Sequence, residues 1–341
     1  MQKLLIAMSG GVDSAVAAAL AMEQGFELAG ATMRLHDGAE QEIADARASC
    51  ERLGIAFYEF DWRAQFRELV QEPFLQTYRA GGTPNPCIFC NRAIKFGLFL
   101  DEALRLGFDG IATGHYARVE TVDGRTLVRT ALDSVKDQTY MLWSLSQAQL
   151  SHVALPMGGM TKEAARRKAE ALGLAVAHKH DSQDICFIPD GDHLRWLTAH
   201  GLVPQAGRFI GPKGEDLGPH RGLEGYTVGQ RRGLEVAYGT RIYVTGRRGT
   251  DVLLGENEAL FSRRVRVSQV NFIPFDRLEA PVRVQAKLRY TPKRAACTMI
   301  PRDFGVELVF DEPQRAVTPG QSAVFYDGQT LLGGGIIESA L

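Results

Sequence analysis

The amino-acid sequence predicts an α/β protein in which a doubly wound parallel-sheet domain is followed by a small β-rich central domain and a C-terminal β-barrel. Three observations lead to this prediction. Short apolar runs alternate with helical patterns over the first hundred residues, glycine and proline crowd together over 201–225, and short β-type runs fill the rest. Alternating strands and helices are typical of βαβ units, and evenly spaced short strands are typical of sandwiches or barrels.

The first domain is predicted from four apolar runs, at 4–8, 28–33, 55–60 and 109–113, which we expect to be strands. Helical patterns follow at 15–22, 43–53, 66–78 and 94–106. A further helix is expected at 161–172, because Thr161 is a good N-cap residue and Gly173 a typical C-terminal stop. Residues 1–200 are therefore expected to form one domain with a helical segment at its end.

The second half is predicted to consist of short β-strands that form small barrels or sandwiches. The glycines and prolines of 201–225 interrupt regular structure, so we expect the transition between domains there. Strands are predicted at 241–245, 252–254, 265–270, 282–288, 306–310 and 323–326. The predicted domains are 1–200, 201–262 and 263–341.

Composition narrows the class of protein. Of the 341 residues, 45% are hydrophobic and 23% charged, as in globular proteins. No apolar run approaches the roughly 18–20 residues that span a bilayer, and no signal-peptide pattern follows the first residues. We therefore expect a cytoplasmic protein with no membrane association. Five cysteines in a reducing compartment favour catalytic, redox or metal-binding roles over structural disulfides.

Charge is spread unevenly although the net charge is only -1. Residues 1–200 carry 20 basic and 25 acidic side chains, whereas residues 227–294 carry 14 basic and 6 acidic ones. A basic surface in the second half could hold the phosphates of a nucleic acid. A solvated β-surface of mixed charge is the alternative.

The most specific local motif is Ser9-Gly10-Gly11-Val12-Asp13-Ser14, between a predicted strand and a predicted helix. Glycines let backbone amides approach a phosphate, hydroxyls add donors, and the helix N-terminus adds partial positive charge. The motif therefore predicts a phosphate-binding loop. It is not a Walker A loop, because no Gly-Lys-Ser/Thr ends it.

This motif resembles the PP-loop of the ATP pyrophosphatases, which split ATP between its α and β phosphates and transfer AMP. Six further segments narrow the likeness, at 83–86 with 90–91, 112–116, 133–140, 181–187, 229–231 and 318–323. Together they resemble the tRNA-specific 2-thiouridylase family over nearly the whole chain. The resemblance implies a PP-loop (adenine nucleotide alpha hydrolase-like) domain that thiolates the wobble uridine of tRNAs for Lys, Glu and Gln.

The resemblance also implies functional residues. Cys186 would carry a persulfide, and Cys90 would attack it and leave a disulfide between the two. A sulfur-donor protein, such as a cysteine desulfurase or a relay, would load Cys186. The residues implied for ATP are Ala7, Met8, Ser9, Gly10, Gly11, Val12, Asp13, Ser14, Met33 and Gly114, with Mg²⁺ near Asp13. Those implied for tRNA are Asn85, Pro86, Cys87, His115, Lys136, Asp137, Gln138, Arg289, Tyr290 and Gln321.

Local sequence adds to this picture of the cysteines. Cys90 follows Thr-Pro-Asn-Pro, which predicts a loop-to-helix junction where the helix dipole lowers the pKa of a thiol. Cys186 lies between Ile185 and Phe187, which alone would favour a buried core cysteine. Cys50 and Cys297 have no motif around them, and we expect both to be core residues.

One position departs from the family pattern. Many members have an aspartate for proton transfer where this chain has Cys87. Three thiols, those of Cys87, Cys90 and Cys186, could then hold a [4Fe-4S] cluster, which is an alternative to the persulfide route.

Two other classes of protein stay open at this stage. A PP-loop ligase that adenylates a small metabolite, like argininosuccinate or GMP synthetase, would share the Ser9–Ser14 motif but has no need of paired cysteines. A non-catalytic RNA-binding module would explain the basic half alone, without the phosphate loop.

Overall fold

A five-stranded sheet forms the core of the first part of the chain. The computed structural model describes residues 2–179, 185–188 and 190–341. The strands are β1 Lys3–Ala7, β2 Glu27–Arg34, β3 Ala56–Asp61, β4 Gly110–Ala112 and β7 Val153–Ala154. They are all parallel and lie in the order β3-β2-β1-β4-β7. The predicted doubly wound sheet is confirmed.

Nine α-helices lie in the described ranges, and most of them accompany this sheet. They are α1 Val12–Glu23, α2 Glu40–Leu53, α3 Arg63–Phe66, α4 Glu72–Arg79, α5 Pro86–Cys90, α6 Phe99–Arg105, α7 Gln147–Leu150, α8 Lys162–Ala171 and α9 His193–Ala199. Two π-helical segments join neighbours: Arg67–Gln71 links α3 to α4, and Asn91–Leu98 links α5 to α6. Thr161 caps α8 as predicted, accepting a hydrogen bond from the Ala164 amide at 3.2 Å. None of the helices described is both long and apolar enough to cross a membrane.

A β-hairpin then leaves the first sheet and joins the barrel. Its strands are β5 Ala117–Val122 and β6 Arg125–Thr130. Asp123 and Gly124 have φ values of 50° and 76°, as a two-residue hairpin turn of the primed type requires. Arg129 pairs with Thr330 of the last strand, so the hairpin extends the C-terminal sheet. The sequence analysis missed this hairpin.

The central part of the chain is a four-stranded sheet. Its strands are β8 Gly207–Ile210, β9 Asp216–His220, β10 Tyr243–Arg248 and β11 Asp251–Gly255, in the order β10-β11-β8-β9. The sequence analysis predicted no strands in 201–225, where β8 and β9 lie. Gly214 has a φ of 82° in the turn between β8 and β9, so a glycine there shapes a hairpin rather than ending order.

Six strands close the C-terminal barrel. They are β12 Phe261–Phe272, β13 Val282–Lys287, β14 Ala295–Arg302, β15 Gly305–Arg315, β16 Ser322–Asp327 and β17 Thr330–Ala340. Their order is β12-β15-β14-β13-β16-β17, and β12 also pairs with β17. The predicted barrel is confirmed. Cys297 in β14 and Cys50 in α2 are fully buried, as predicted for core residues.

A buried ion pair joins the barrel to the loop that follows β6. The Lys287 ammonium lies 3.4 Å from the Asp137 carboxylate, and both side chains are less than 5% exposed. The same carboxylate accepts hydrogen bonds from the Ala131 amide at 3.2 Å and the Thr139 hydroxyl at 2.8 Å. Burial lowers the pKa of Lys287, and the charge of Asp137 opposes that shift.

Removing the cation of this pair should destabilise the protein strongly. In Lys287→Met the Asp137 carboxylate stays buried without its counter-charge, which costs about 3–5 kcal/mol. Arg283→Met is the matched control, because Arg283 lies on the same strand in an exposed ion pair with Asp311 and should cost at most about 1 kcal/mol. Urea unfolding measures both, and equal losses would contradict the assignment.

Candidate active site

The Ser9–Ser14 loop lies at the carboxyl end of β1 and leads into α1. The Ser14 hydroxyl donates to the Gly11 carbonyl at 3.0 Å and lies 3.1 Å from the Ser9 amide nitrogen. Gly10 has a φ of 67°, and a Cβ there would lie 2.3 Å from the Glu42 carbonyl oxygen. No side chain caps the first turn of α1. The backbone amides at this helix N-terminus are therefore available to an anion.

Asp13 is bound by two residues that the sequence analysis did not select. Its carboxylate accepts hydrogen bonds from the Lys162 ammonium at 2.8 and 2.9 Å and from the Tyr116 hydroxyl at 2.9 Å. The Lys162 side chain is only 12% exposed. A lysine at the first position of a helix opposes the helix dipole, and such a local conflict is a signal of function that could have identified it.

A second lysine lies on the other side of the loop. The Lys179 ammonium donates to the Gly10 carbonyl at 3.0 Å and to the Asp45 carboxylate at 2.7 Å. This bond from Lys179 is the main reason that the pKa of Asp45 is lowered. Two ammonium groups therefore flank a loop that lacks a lysine of its own.

The residues predicted near the nucleotide gather at this edge of the sheet. A Cβ on Gly114 would lie 2.9 Å from the Ser14 amide nitrogen, so the loop after β4 touches the start of α1 backbone to backbone. Met33, at the end of β2, is partly buried and packs against the core clusters. Thr32 ties β2 to the loop by donating to the Met8 carbonyl at 2.8 Å.

His115 lies in the loop after β4 and packs against Phe96, which belongs to the π-helical segment that follows Cys90. Its Nδ1 lies 2.8 Å from the Thr113 hydroxyl, and its ring centroid lies 5.5 Å from that of Phe96. Burial, with a smaller effect of Lys95, lowers the pKa of His115 to about 3. The imidazole is therefore neutral near pH 7 and cannot serve there as a positive contact for phosphate.

Helix α5 presents two cysteines. Asn85 is its N-cap and accepts a hydrogen bond from the Cys87 amide at 3.1 Å. Cys87 is exposed in the first turn, whereas Cys90 is buried at the last residue. Burial raises the pKa of Cys90 to about 12. The expectation of a lowered pKa was wrong, because Cys90 lies at the far end of this short helix and inside the protein.

Cys186 lies close enough to Cys87 and Cys90 for the thiols to interact electrostatically. It is exposed, while Phe187 and Ile188 beside it belong to the same apolar cluster as Cys90. Although Cys186 reaches the surface, partial desolvation by the chain packed around it raises its pKa, and the neighbouring charge of Cys87 raises it further. Folding thus brings together two cysteines that are 96 residues apart, as the persulfide hypothesis requires. The rest of that motif, 181–184, lies outside the described residues.

The three thiols do not form a metal site. Across 2–179, 185–188 and 190–341, no group of three or more His, Cys, Asp or Glu side chains is arranged to hold a metal ion. The described residues therefore give no support to a [4Fe-4S] cluster on these thiols.

Several residues predicted to contact tRNA instead make bonds within the protein, two of them between the first domain and the barrel. Asp137 is buried in the ion pair with Lys287, so its carboxylate is not available to RNA. The Gln138 side chain accepts from the Tyr116 amide at 2.9 Å, and Gln321 donates to the Thr83 carbonyl at 2.7 Å.

The other predicted contacts differ in exposure. The Arg289 guanidinium donates to the Arg315 and Ala316 carbonyls at 2.5 and 3.2 Å. Tyr290 is 48% exposed, with its ring centroid 5.8 Å from that of Tyr140. Tyr290 therefore has the most open aromatic surface among the predicted contacts. Pro86 is buried at the start of α5.

Some of the basic residues of 227–294 are already neutralised. Arg264, Arg277 and Arg283 form ion pairs with Glu307, Glu279 and Asp311. Exposed arginines at other positions include Arg231, Arg232, Arg263 and Arg266. The predicted basic surface is thus smaller than the residue count suggests.

The parallel sheet, the glycine loop at its first strand and the close approach of Gly114 define an α/β protein of the PP-loop class. Family models match along the chain: a "tRNA methyl transferase HUP domain" at 2–190, a "tRNA methyl transferase PRC-barrel domain" at 197–250 and an "Aminomethyltransferase beta-barrel domain" at 262–337. Within the PP-loop class, the chain belongs to the tRNA-specific 2-thiouridylase family.

The assignment to this family is supported by relatives that match over their full length. A tRNA-specific 2-thiouridylase MnmA 1 of Clostridium tetani is 46% identical over 99% of this chain and 97% of its own length. A tRNA-specific 2-thiouridylase MnmA of Clostridioides difficile is 43% identical over 100% and 99%. Among solved structures, the U34-tRNA thiolase NcsA of Methanococcus maripaludis is 20% identical with a TM-score of 0.38, over 59% of this chain and 68% of that one.

The buried position of Cys90 makes its reactivity strongly dependent on pH. With a pKa of about 12, its alkylation by iodoacetamide should keep rising about tenfold per pH unit between pH 8 and pH 10, because only the thiolate reacts. In urea the alkylation rate of Cys90 should level off above the ordinary thiol pKa of about 8.5. Mass spectrometry of the Cys90 peptide measures both rates. A plateau near pH 8.5 in the folded protein would contradict the burial.

Proposed function

We propose that this protein uses ATP to replace the 2-oxygen of the wobble uridine with sulfur in tRNAs for Lys, Glu and Gln, in the cytoplasm. One observation carries the proposal: two consecutive residues join the predicted nucleotide site to the thiols. Gly114 touches the backbone of Ser14, and His115 packs against Phe96, six residues beyond Cys90. A uridine that reaches Cys90 therefore lies next to a phosphate-binding loop. The proposed functional domains are 1–200, 201–262 and 263–341.

ATP would bind across the Ser9–Ser14 loop, and its chemical role is to supply the AMP that turns the uracil 2-oxygen into a leaving group. The amides of the loop, with Lys162 and Lys179 beside it, would hold the phosphates. Asp13 does not fit the role of a Mg²⁺ ligand, because both its oxygens bind Lys162 and one also binds Tyr116. Asp13 instead orients Lys162.

Sulfur would arrive on Cys186. Exposure of Cys186 lets a sulfur-donor protein, a cysteine desulfurase or a relay, load it as a persulfide. The Cys90 thiol then gives up its proton, with Cys87 assisting the transfer, and attacks the Cys186 Sγ. This breaks the persulfide bond, releases hydrosulfide and forms a Cys90–Cys186 disulfide. Hydrosulfide attacks C2 of the uracil and AMP leaves. An external thiol reductant restores both cysteines.

The two cysteines differ in exposure as this division of labour requires. A buried nucleophile is shielded from oxidants, while the acceptor of sulfur has to meet a partner at the surface. Cys87, in the first turn of α5, stands where many relatives have an aspartate, and we assign it an assisting role in proton transfer. A small-metabolite ligase would have no use for this pair.

The tRNA would lie across the junction of the first domain and the barrel. The anticodon base has to leave its stack before C2 can be reached, and single-stranded bases are held by stacking on aromatic side chains. Tyr290 offers such a face, Lys136 lies close enough to act on it electrostatically, and Arg289 is the residue before it in the chain. Asn85, Pro86 and Cys87 would border the target base.

Lys162, which binds the Asp13 carboxylate, should contribute to nucleotide binding. Lys162→Met removes a charged donor worth about 1.5–3 kcal/mol, so affinity for a non-hydrolysable ATP analogue should fall roughly 10- to 100-fold. Lys168→Met is the matched control, since Lys168 lies on the same helix in an ion pair with Glu23 at its surface. Equilibrium dialysis compares them. The same affinity in both variants would remove Lys162 from the site.

Substitutions of the three cysteines test the proposed thiolation reaction. With ATP, tRNA and a persulfide donor, nucleoside mass spectrometry should find 2-thiouridine with wild-type protein, none with Cys90→Ser or Cys186→Ser, and a slower yield with Cys87→Ser. Cys297→Ala, in the barrel core, is the control and should keep the wild-type rate. A wild-type protein that makes no 2-thiouridine would sink the proposed function. Normal turnover by Cys186→Ser would sink only the persulfide route.

A further inference from the structure

The loop of residues 80–85 joins α4 to α5 and is held by both later parts of the chain. On one side, Arg247 of β10 reaches into the loop. Its guanidinium donates to the Gly81 carbonyl at 2.5 Å and to the Tyr226 carbonyl at 2.7 Å. Arg247 is partly buried, and desolvation lowers its pKa. One side chain of the central sheet thus ties a backbone group of the first domain to one of its own.

On the other side of the loop, the barrel forms hydrogen bonds with both backbone groups of Thr83. The Thr83 amide donates to the Pro319 carbonyl at 2.9 Å, and the Gln321 side-chain amide donates to the Thr83 carbonyl at 2.7 Å. Gly320 lies between these two bonds. Its φ is 89°, and a Cβ there would lie only 2.6 Å from the Thr83 nitrogen. The two backbones meet without room for any side chain.

The loop passes directly into the reacting helix. Two prolines, Pro84 and Pro86, stiffen the connection by fixing their φ angles. Asn85 between them caps α5 through the Cys87 amide, and its Nδ2 lies 3.6 Å from the Met141 sulfur. A shift of Thr83 is therefore carried into α5 and hence to Cys90, which lies at its last residue.

We propose that the central sheet and the barrel clamp the loop 80–85 and thereby position Cys90, with Arg247 and Gly320 as positioning residues. The role of Cys90 in this inference rests on the proposed function. The phosphate loop is held by other contacts, through Gly114, Lys162 and Lys179. Loosening the clamp should therefore slow sulfur transfer and leave nucleotide binding unchanged. A tRNA that engages the barrel would bind the same surface that fixes the nucleophile.

Gly320→Ala tests the clamp on the barrel side. The added Cβ forces Thr83 away, and since a displacement of about 1 Å can cost about 100-fold in rate, kcat for 2-thiouridine should fall by about that factor while the KM for ATP stays unchanged. Gly328→Ala is the matched control. Gly328 also lies in the barrel at positive φ, 51°, but no atom lies within 4 Å of its added Cβ. It should keep wild-type kcat.

A second readout needs neither tRNA nor turnover. Cys90 is 8% exposed, so its alkylation by iodoacetamide in the free protein should be faster in Gly320→Ala than in Gly328→Ala. Arg247→Lys tests the other side of the clamp, because lysine keeps the charge but lacks the rigid planar fork that holds two N–H donors on the two carbonyls at once. It should also speed alkylation and lower kcat, with less effect on folding than a change at Gly320.

The outcomes separate clearly. If Gly320→Ala and Arg247→Lys both fold and both match Gly328→Ala in kcat and in Cys90 alkylation, the clamp is wrong. If Gly320→Ala does not fold, Arg247→Lys decides alone. If wild-type protein makes no 2-thiouridine, the proposed function fails, and the alkylation rates still decide whether the loop is held by the later parts of the chain.

Discussion

The contact between the loop after β4 and the first turn of α1 sets the geometry of the whole site. Gly114 has no side chain, and only for that reason can its backbone lie against those of Asp13 and Ser14. The approach closes one side of the phosphate loop. It also fixes the next residue, His115, and with it the packing of Phe96 and the helix that carries Cys90. The nucleotide region and the thiol region therefore share one backbone contact as their reference point.

Polar groups within the protein hold the separate sheets together. In the loop after β6, Asp137 forms an ion pair with Lys287 of the barrel, and the Gln138 side chain accepts a hydrogen bond from the Tyr116 amide. The Tyr116 hydroxyl in turn donates a hydrogen bond to Asp13. Asp137, Lys287 and Tyr116 are buried, so their polar groups have to find partners inside the protein, and a change at one of them is felt by the rest. The junction between the first domain and the barrel is thus made of paired polar groups.

The class of fold was predictable from the sequence, because alternating strands and helices are a local pattern, whereas the pairing of Cys90 with Cys186 came from family resemblance and not from the residues around Cys186. Sequence reasoning failed where the answer depends on distant partners. The strands β8 and β9 are rich in glycine and proline, and only pairing with each other and with β11 makes them ordered. Lys162 lies 149 residues from Asp13 in sequence. The high pKa of Cys90 comes from burial by a cluster whose members no motif identifies.

The hairpin of β5 and β6 has a consequence for how this chain is made. Its strand pairing with the barrel is made by Arg129 and Thr330, 201 residues later, and bonds from Arg118 to Gln329 and from Arg125 to Ile273 and Asp276 add to it. During synthesis, the edge of β6 leaves the ribosome long before the strand that covers it exists. An uncovered strand edge is a template for pairing with other chains. The nascent protein is thus exposed to misassembly until almost its last residues, and a chain that ends before β17 would keep that edge open for its lifetime.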